Sequence, residues 1–168
     1  MSGKEMVNHP DHYYKGKDRI ECIHLIAMIC EGYSGIAAFD IGQCKYIYRC
    51  GCKSENGMDD NTKAIQDSKK YTWYLEDFKA RALQARDRTD ELRAQELLPK
   101  GFYCEKHYVE AVADIVAKEF TWDKADNVKL IIDELIRESY SLRTFEQLQT
   151  AINLSFELTE VLAQKSLD

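Results

Sequence analysis

The sequence predicts an all-α protein, a helical bundle of about five to six helices with one long central helix. Three observations lead to this prediction. The 168 residues include only two prolines, and only one of the eight glycines lies after residue 57. Hydrophobic residues make up 45% of the chain, which is enough for one buried core. In the second half, apolar residues recur every three or four positions, as they do in amphipathic helices.

The first half is predicted to contain two helices followed by a turn. Apolar residues in the range 20–30 follow helical spacing, and the glycines of EGYSG end that helix. A second helix is predicted over residues 36–49. The polar segment SENGMDDN then forms a turn, in which Asp59, Asp60 or Asn61 is predicted to cap the next helix. Short polar side chains suit that position because they accept hydrogen bonds from the first free amides of a helix.

The central helix is predicted to begin at Thr62 and to continue to about Leu97, because no helix-breaking residue lies between them. Its last part, LQARDRTDELRAQE, is highly charged, so this part is predicted to form an exposed arm or hairpin. A helix longer than about 25 residues often packs against another subunit. The length therefore favours self-association into a homo-oligomer.

The C-terminal part is predicted to form three more helices. The first two carry apolar stripes over residues 112–120 and 128–136. The last helix, over residues 144–164, has apolar residues on two faces, so it lies centrally or forms an oligomer contact. We predict an N-terminal helical domain over residues 1–79 and a C-terminal helical extension over residues 80–168, packed together as one unit.

The charge of the chain bears on its partners. A formal net charge of −6 and a pI near 5.3 argue against binding of duplex nucleic acid, which requires an excess of cations. No apolar run approaches the roughly 18 residues of a membrane span, and the N-terminus lacks the apolar centre of a signal peptide. These patterns predict a cytoplasmic protein without a membrane partner, whose six cysteines are mostly reduced.

Four motifs carry a resemblance to a known family. They are VNHPDHY at residues 7–13, IECIHLI after Gly16, CKYIYRCGCK at 44–53 and DSKKYTWYL at 67–75. In order and spacing these motifs resemble the SaV-like phage protein family, a domain of unknown function whose members are sometimes described as nucleotide kinases. The chain departs from the family in a longer turn before the last motif and in Tyr71, where the family has a small residue. The resemblance covers residues 7–79 and implies a phage protein in the host cytoplasm.

The motif CKYIYRCGCK predicts an anion site. Lys45 and Arg49 lie four residues apart and therefore on one face of a helix. Gly51 allows the chain to turn, so that Lys53 reaches the same place. Lysine contributes a point charge and arginine a planar fork, and both bind phosphate.

Further residues are predicted to complete this site. Lys70, Trp73 and Tyr74 from the next helix are predicted to close the site, and Trp73 or Tyr48 provides a ring on which a base stacks. His12 and Tyr13 are predicted at the rim, where they would donate hydrogen bonds to a ligand. An alternative for these two residues is an N-terminal latch that caps helix ends.

A structural interpretation of the same residues stays open. In that interpretation, the first two cations of CKYIYRCGCK pair with nearby carboxylates and the aromatic residues fill the core. The carboxylates would be Asp40, Asp67 or Asp77, and the core residues would be Tyr46 and Trp73.

Metal-binding and enzyme motifs are weak in this sequence. Cys50 and Cys52 are closer together than most zinc-binding pairs, and Cys104 with His107 supplies half a site, so no metal site is predicted. A mixed site that also includes Cys44 stays open. The sequence has no phosphate-binding P-loop, and its E-x-x-E lies at the end of the chain. Catalytic residues and cofactors are therefore not assigned.

The sequence thus predicts a phage-type accessory protein that binds a nucleotide-like anionic small molecule. Such a protein would sequester a host nucleotide or a cyclic nucleotide signal, which would help the phage to evade host defence. Two alternatives stay open. One is a metal-dependent enzyme of nucleotide metabolism without a P-loop, and the other is a protein-interaction module that inhibits a host factor.

Overall fold

The computed structural model describes residues 14–15, 20–21, 27, 31–43, 45–48, 59–88, 95–105 and 126–167. These residues are mostly helical, which confirms the all-α class. The elements in chain order are β1 (Tyr14–Lys15), β2 (Ile20–Glu21), α1 (Gly35–Gly42), α2 (Lys45–Tyr48), α3 (Asp60–Arg86), α4 (Asp126–Tyr140) and α5 (Phe145–Leu167). Because α2 is a single turn, the described residues contain four longer helices, fewer than the five to six predicted for the chain.

The N-terminal helix prediction is wrong at its start. Ile20 pairs with Lys15, and Glu21 with Tyr14, in a short antiparallel ladder. Aromatic and β-branched side chains favour this extended conformation. Ala27 is helical, as predicted, and the rest of residues 22–30 lies outside the described residues.

The helix predicted over residues 36–49 is interrupted. Helix α1 ends at Gly42, and α2 begins at Lys45. Gly42 is a poor helix former, and Gln43 ends the helix by donating its side-chain amide to the carbonyl oxygen of Phe39 at 3.0 Å. The break turns the chain, so that α1 and α2 both pack against α3.

Helix α3 starts two residues before the predicted Thr62, with one of the predicted caps, and ends earlier than predicted. Asp59 is its N-cap, since the backbone amide of Thr62 donates to Asp59 Oδ1 at 2.7 Å. The helix ends at Arg86 rather than near Leu97, which instead forms a bridge with Thr144. Pairing with a distant part of the chain outweighs the local helical preference of this segment.

Helices α3 and α5 run antiparallel and form the centre of the fold. Four hydroxyl side chains, which we call the hydroxyl seam, join them. Ser68 bonds Thr159 with 2.7 Å between the oxygens, and Thr72 donates to Ser155 at 2.8 Å. Near one end of the pair, the side chain of Asn61 also donates to the α5 backbone at 3.0 Å. The helices are thus joined by polar contacts as well as by packing.

The apolar stripes predicted over residues 128–136 and in the last helix are confirmed, whereas the stripe predicted over residues 112–120 lies outside the described residues. All five apolar residues predicted for α4 are buried: Val128, Ile131, Ile132, Leu135 and Ile136. In α5, Leu148, Leu154 and Leu158 are buried although they come from both predicted faces. Helix α5 packs against both α3 and α4, so it occupies a central position. Among the apolar residues predicted for the two faces of α5, Phe156 is the exposed one, at 48%.

Candidate functional site

Four aromatic side chains meet where α1 and α2 pack against α3, and we call them the aromatic cluster. Phe39 comes from α1, Tyr46 from α2, and Trp73 and Tyr74 from α3. The Tyr74 ring contacts the other three. It lies nearly parallel to Tyr46, with 6.4 Å between centroids, and meets the edges of Phe39 at 6.1 Å and Trp73 at 5.1 Å. Offset and edge-on contacts of this kind are favourable for aromatic rings.

Two lysines from different helices lie beside the cluster. The ammonium of Lys45 is 5.4 Å from the centroid of the Tyr46 ring, and that of Lys70 is 5.2 Å from the same centroid. These distances are within the range of cation–π contacts. A single ring of the cluster therefore attracts one positive charge from α2 and one from α3.

Part of the cluster is open to solvent. Trp73 and Phe39 are each 60% exposed, which is unusual for large aromatic side chains. Lys70 is also exposed, whereas Tyr46 and Tyr74 are half-buried. The cluster thus presents two accessible rings on a base that is held in place by packing.

The structure brings together four of the predicted site residues, namely Lys45, Lys70, Trp73 and Tyr74. The other four predicted residues lie outside the described residues: Arg49, Lys53, His12 and Tyr13. Sequence reasoning missed Phe39 and considered Tyr46 only as a core residue. The segment around Phe39, GIAAFDIG, is apolar except for Asp40. Its pattern could not show which side chain would be exposed.

The carboxylates that the structural interpretation assigned to the cations of CKYIYRCGCK form ion pairs with other residues. Asp40 lies 3.4 Å from Arg81, and Asp77 pairs with the same guanidinium group. Asp67 lies 3.3 Å from Lys63, and both side chains of this pair are buried. Lys45 is therefore not needed to explain how these three carboxylates are held.

Asp40 is a buried carboxyl group next to the aromatic cluster. Its side chain is 1% exposed, and burial raises its pKa from 3.8 to about 6. The positive charge of Arg81 opposes this increase in the pKa, and the negative charge of Asp77 adds to it. These three groups form a charged cluster on the α1 side of the aromatic rings.

Within residues that the structure describes, no group of three or more His, Cys, Asp or Glu side chains is arranged to hold a metal ion. Of the cysteines and histidine considered from the sequence, Cys104 is described and is buried in the core. Cys44, Cys50, Cys52 and His107 lie outside the described ranges. In the described part, no helix combines the length and apolar character that crossing a bilayer requires.

Comparison with known proteins identifies no relative of this chain. No family model, curated protein or solved structure matches this chain. The likeness to the SaV-like phage family therefore depends on the four sequence motifs. The candidate site is interpreted from its own geometry, which is an exposed aromatic surface with two adjacent lysines.

Proposed function

We propose that this protein binds a nucleotide-like anionic small molecule at the aromatic cluster. The observation that carries the proposal is the placement of two lysine ammonium groups around Tyr46, beside the exposed ring of Trp73. A nucleotide needs both features, because its base stacks on aromatic rings and its phosphates require positive charge. Stacking on an aromatic side chain contributes about 1–3 kcal/mol per base.

The charges around the cluster favour one orientation of the ligand. Lys45 and Lys70 lie on the side of α2, where they would contact the phosphate. The charged cluster of Asp40, Asp77 and Arg81 lies on the side of α1 and carries one net negative charge when both carboxylates are ionised. It would repel phosphate, so the base is expected to lie toward Phe39 and Trp73.

The wider role in this proposal follows from the resemblance over residues 7–79. The protein would act as a phage-type accessory protein in the host cytoplasm and sequester a nucleotide or cyclic nucleotide signal. We also propose that it forms a homo-oligomer. Exposed apolar side chains on α4 and α5 support self-association, since Leu130 is 63% exposed and Phe156 is 48% exposed.

Thermal stability in the presence of candidate ligands tests this proposal. The purified protein would be incubated with mono-, di- and trinucleotides and with cyclic oligonucleotides, each with magnesium. A ligand that binds the native state at 100 times its Kd stabilises it by about 2.7 kcal/mol and so raises Tm. Chromatography after denaturation then distinguishes a bound ligand that is recovered intact from one that has been converted, which would indicate an enzyme.

Variants of the two lysines assign any binding to the cluster. Lys45→Glu combined with Lys70→Glu should abolish the ligand-induced increase in Tm, because two attractive charges become repulsive. Lys129→Glu on α4 is the control for a single change of the same kind and should bind normally. Binding that survives the double variant would show that the cluster is not the site.

A second candidate function is supported by the same exposed rings. Trp and Tyr residues are enriched among the residues that contribute most to protein–protein binding. A host protein that binds this chain, depends on Trp73 and tolerates the double lysine variant would favour the protein-interaction module. Absence of any nucleotide effect on Tm would lead to the same conclusion.

A further inference from the structure

A cavity of about 500 Å³ lies away from the aromatic cluster, with which it shares no lining residue. It is formed by residues 95–103 and the turn between α4 and α5. Its apolar wall consists of Leu97, Leu98, Pro99 and Tyr103. This volume is within the range of about 300–1,000 Å³ that is typical of small-molecule sites.

The backbone around this cavity is held by bonds between distant segments. The amide of Leu98 donates to the carbonyl oxygen of Arg143 at 2.8 Å, and the amide of Phe145 donates to that of Glu96 at 2.9 Å. Within the loop, Gly101 has a φ of 93°, a backbone conformation that residues other than glycine rarely adopt. The cavity is therefore formed before any ligand binds, and little chain entropy is lost on binding.

The polar groups of the cavity are cationic or neutral. Lys100 and Arg143 contribute two positive charges, and Gln95 contributes an amide. The guanidinium carbon of Arg143 lies 5.7 Å from the centroid of the Tyr103 ring, so this contact positions the charge over the cavity wall. No acidic residue is among the described side chains that line the cavity.

We propose that this cavity binds a small organic anion, namely a carboxylate or phosphate attached to an aromatic or short aliphatic body. The apolar wall would bury the body, and Lys100 and Arg143 would bind the anionic group. Inorganic anions lack the body, and neutral apolar molecules lack the charge, so each should bind more weakly. This site shares no residue with the aromatic cluster and does not depend on nucleotide binding there.

Titration with phenyl phosphate, followed by the amide signals in ¹H–¹⁵N NMR spectra, tests the proposal. Phenyl phosphate should shift the amides of Leu98, Lys100 and Tyr103 in a saturable manner. Phenol and inorganic phosphate each lack one feature and should bind at least about 10-fold more weakly. Equal binding of phenol, or no saturable shift at these amides, would overturn the proposal.

Charge variants give an independent test. Arg143→Gln and Lys100→Gln should each weaken binding of phenyl phosphate by about 10-fold, since each removes a charge-assisted hydrogen bond. The backbone bonds at Arg143 are retained in the first variant. Lys129→Gln removes a lysine from α4 and should leave the affinity unchanged. Unchanged affinity in both cavity variants, or shifts confined to amides of the aromatic cluster, would refute this site while leaving the proposed function intact.

Discussion

Two sides of α3 differ in what they contribute to the protein. One side is buried, and Leu75 and Phe78 are both 0% exposed there. The other side carries the aromatic cluster, and Trp73 remains 60% exposed. Both sides belong to one continuous helix, so they share a backbone and differ in their side chains and in their surroundings. The comparison teaches that stability and binding should be separable by substitutions within a few residues of each other.

The largest expected effect is on the buried side. Phe78→Ala removes a ring that meets the edge of Phe102 with 5.4 Å between centroids. The free energy of unfolding should fall by about 3–5 kcal/mol, because a large buried side chain is lost and a cavity remains. Urea denaturation measures this loss. Phe39→Ala, at a site that is 60% exposed, is the matched control and should cost less than about 1 kcal/mol. Similar costs for the two variants would contradict the comparison.

A smaller effect is expected from the buried carboxyl group that faces Arg81 and Asp77. The pKa of Asp40 is about 6 in the folded protein, above its ordinary value of 3.8, so the folded state binds this proton more tightly. The stabilisation that comes from this tighter proton binding at Asp40 is fully present below pH 4. It is lost as the pH rises from 4 to 6, and the free energy of unfolding falls by at most about 3 kcal/mol.

Replacement of this carboxyl group measures the effect. Relative to Asp40→Asn, the wild-type protein should become less stable as the pH rises from 4 to 6, and urea denaturation at several pH values follows the difference. Asp133→Asn removes a carboxylate from a more exposed ion pair on α4 and controls for the loss of one charge. A difference between wild type and Asp40→Asn that does not vary with pH would contradict the prediction.

The hydroxyl seam should contribute less. Thr72→Val keeps the shape of the side chain and removes the hydroxyl that donates to Ser155. We expect a loss of about 1 kcal/mol, the usual net contribution of one hydrogen bond. Thr150→Val on the exposed side of α5 is the control, since its hydroxyl bonds only within its own helix at 3.0 Å. Thermal unfolding that gives equal Tm values for the two variants would count against the seam.

The smallest effect on stability is expected at Trp73. Trp73→Ala should change the free energy of unfolding by about 0.5 kcal/mol or less, because the side chain is largely exposed. The same variant should remove nucleotide-induced stabilisation if the ring stacks on a base. Normal nucleotide binding by the variant would show that the Trp73 ring does not stack on a base, and a large loss of stability would show that the ring has a structural role.

The sequence predicted the elements that depend on local pattern. The apolar stripe of α4 and the cap at Asp59 are set by residues close together in the chain, so periodicity and capping rules identified them. The end of α3 depends on the pairing of Leu97 with Thr144, which lie far apart in the sequence. A local pattern contains no information about such pairing, so the predicted helix was too long.

As with the fold, the part of the candidate site that lies on one helix was predictable from the sequence, and the contacts between helices were not. Lys70, Trp73 and Tyr74 are neighbours on one helix, and their spacing alone places them close together. The contact between Tyr74 and Phe39, by contrast, depends on how α1 packs. The same limit applies to ion pairs, since the observed partner of Asp40 is Arg81, 41 residues further along the chain.

The hydroxyl seam has a consequence for how α3 and α5 are aligned. Its two bonds join Ser68 to Thr159 and Thr72 to Ser155. A slip of one helical turn, about 5.4 Å, would place Thr72 beside Thr159 and Ser68 beside Ala163. Each of the four hydroxyls also has a carbonyl partner in its own helix, so the slip would cost only the bonds that the present register makes between the helices, about 1 kcal/mol each. The seam thus selects one register for the central helix pair, and every element that packs on α3 inherits that register.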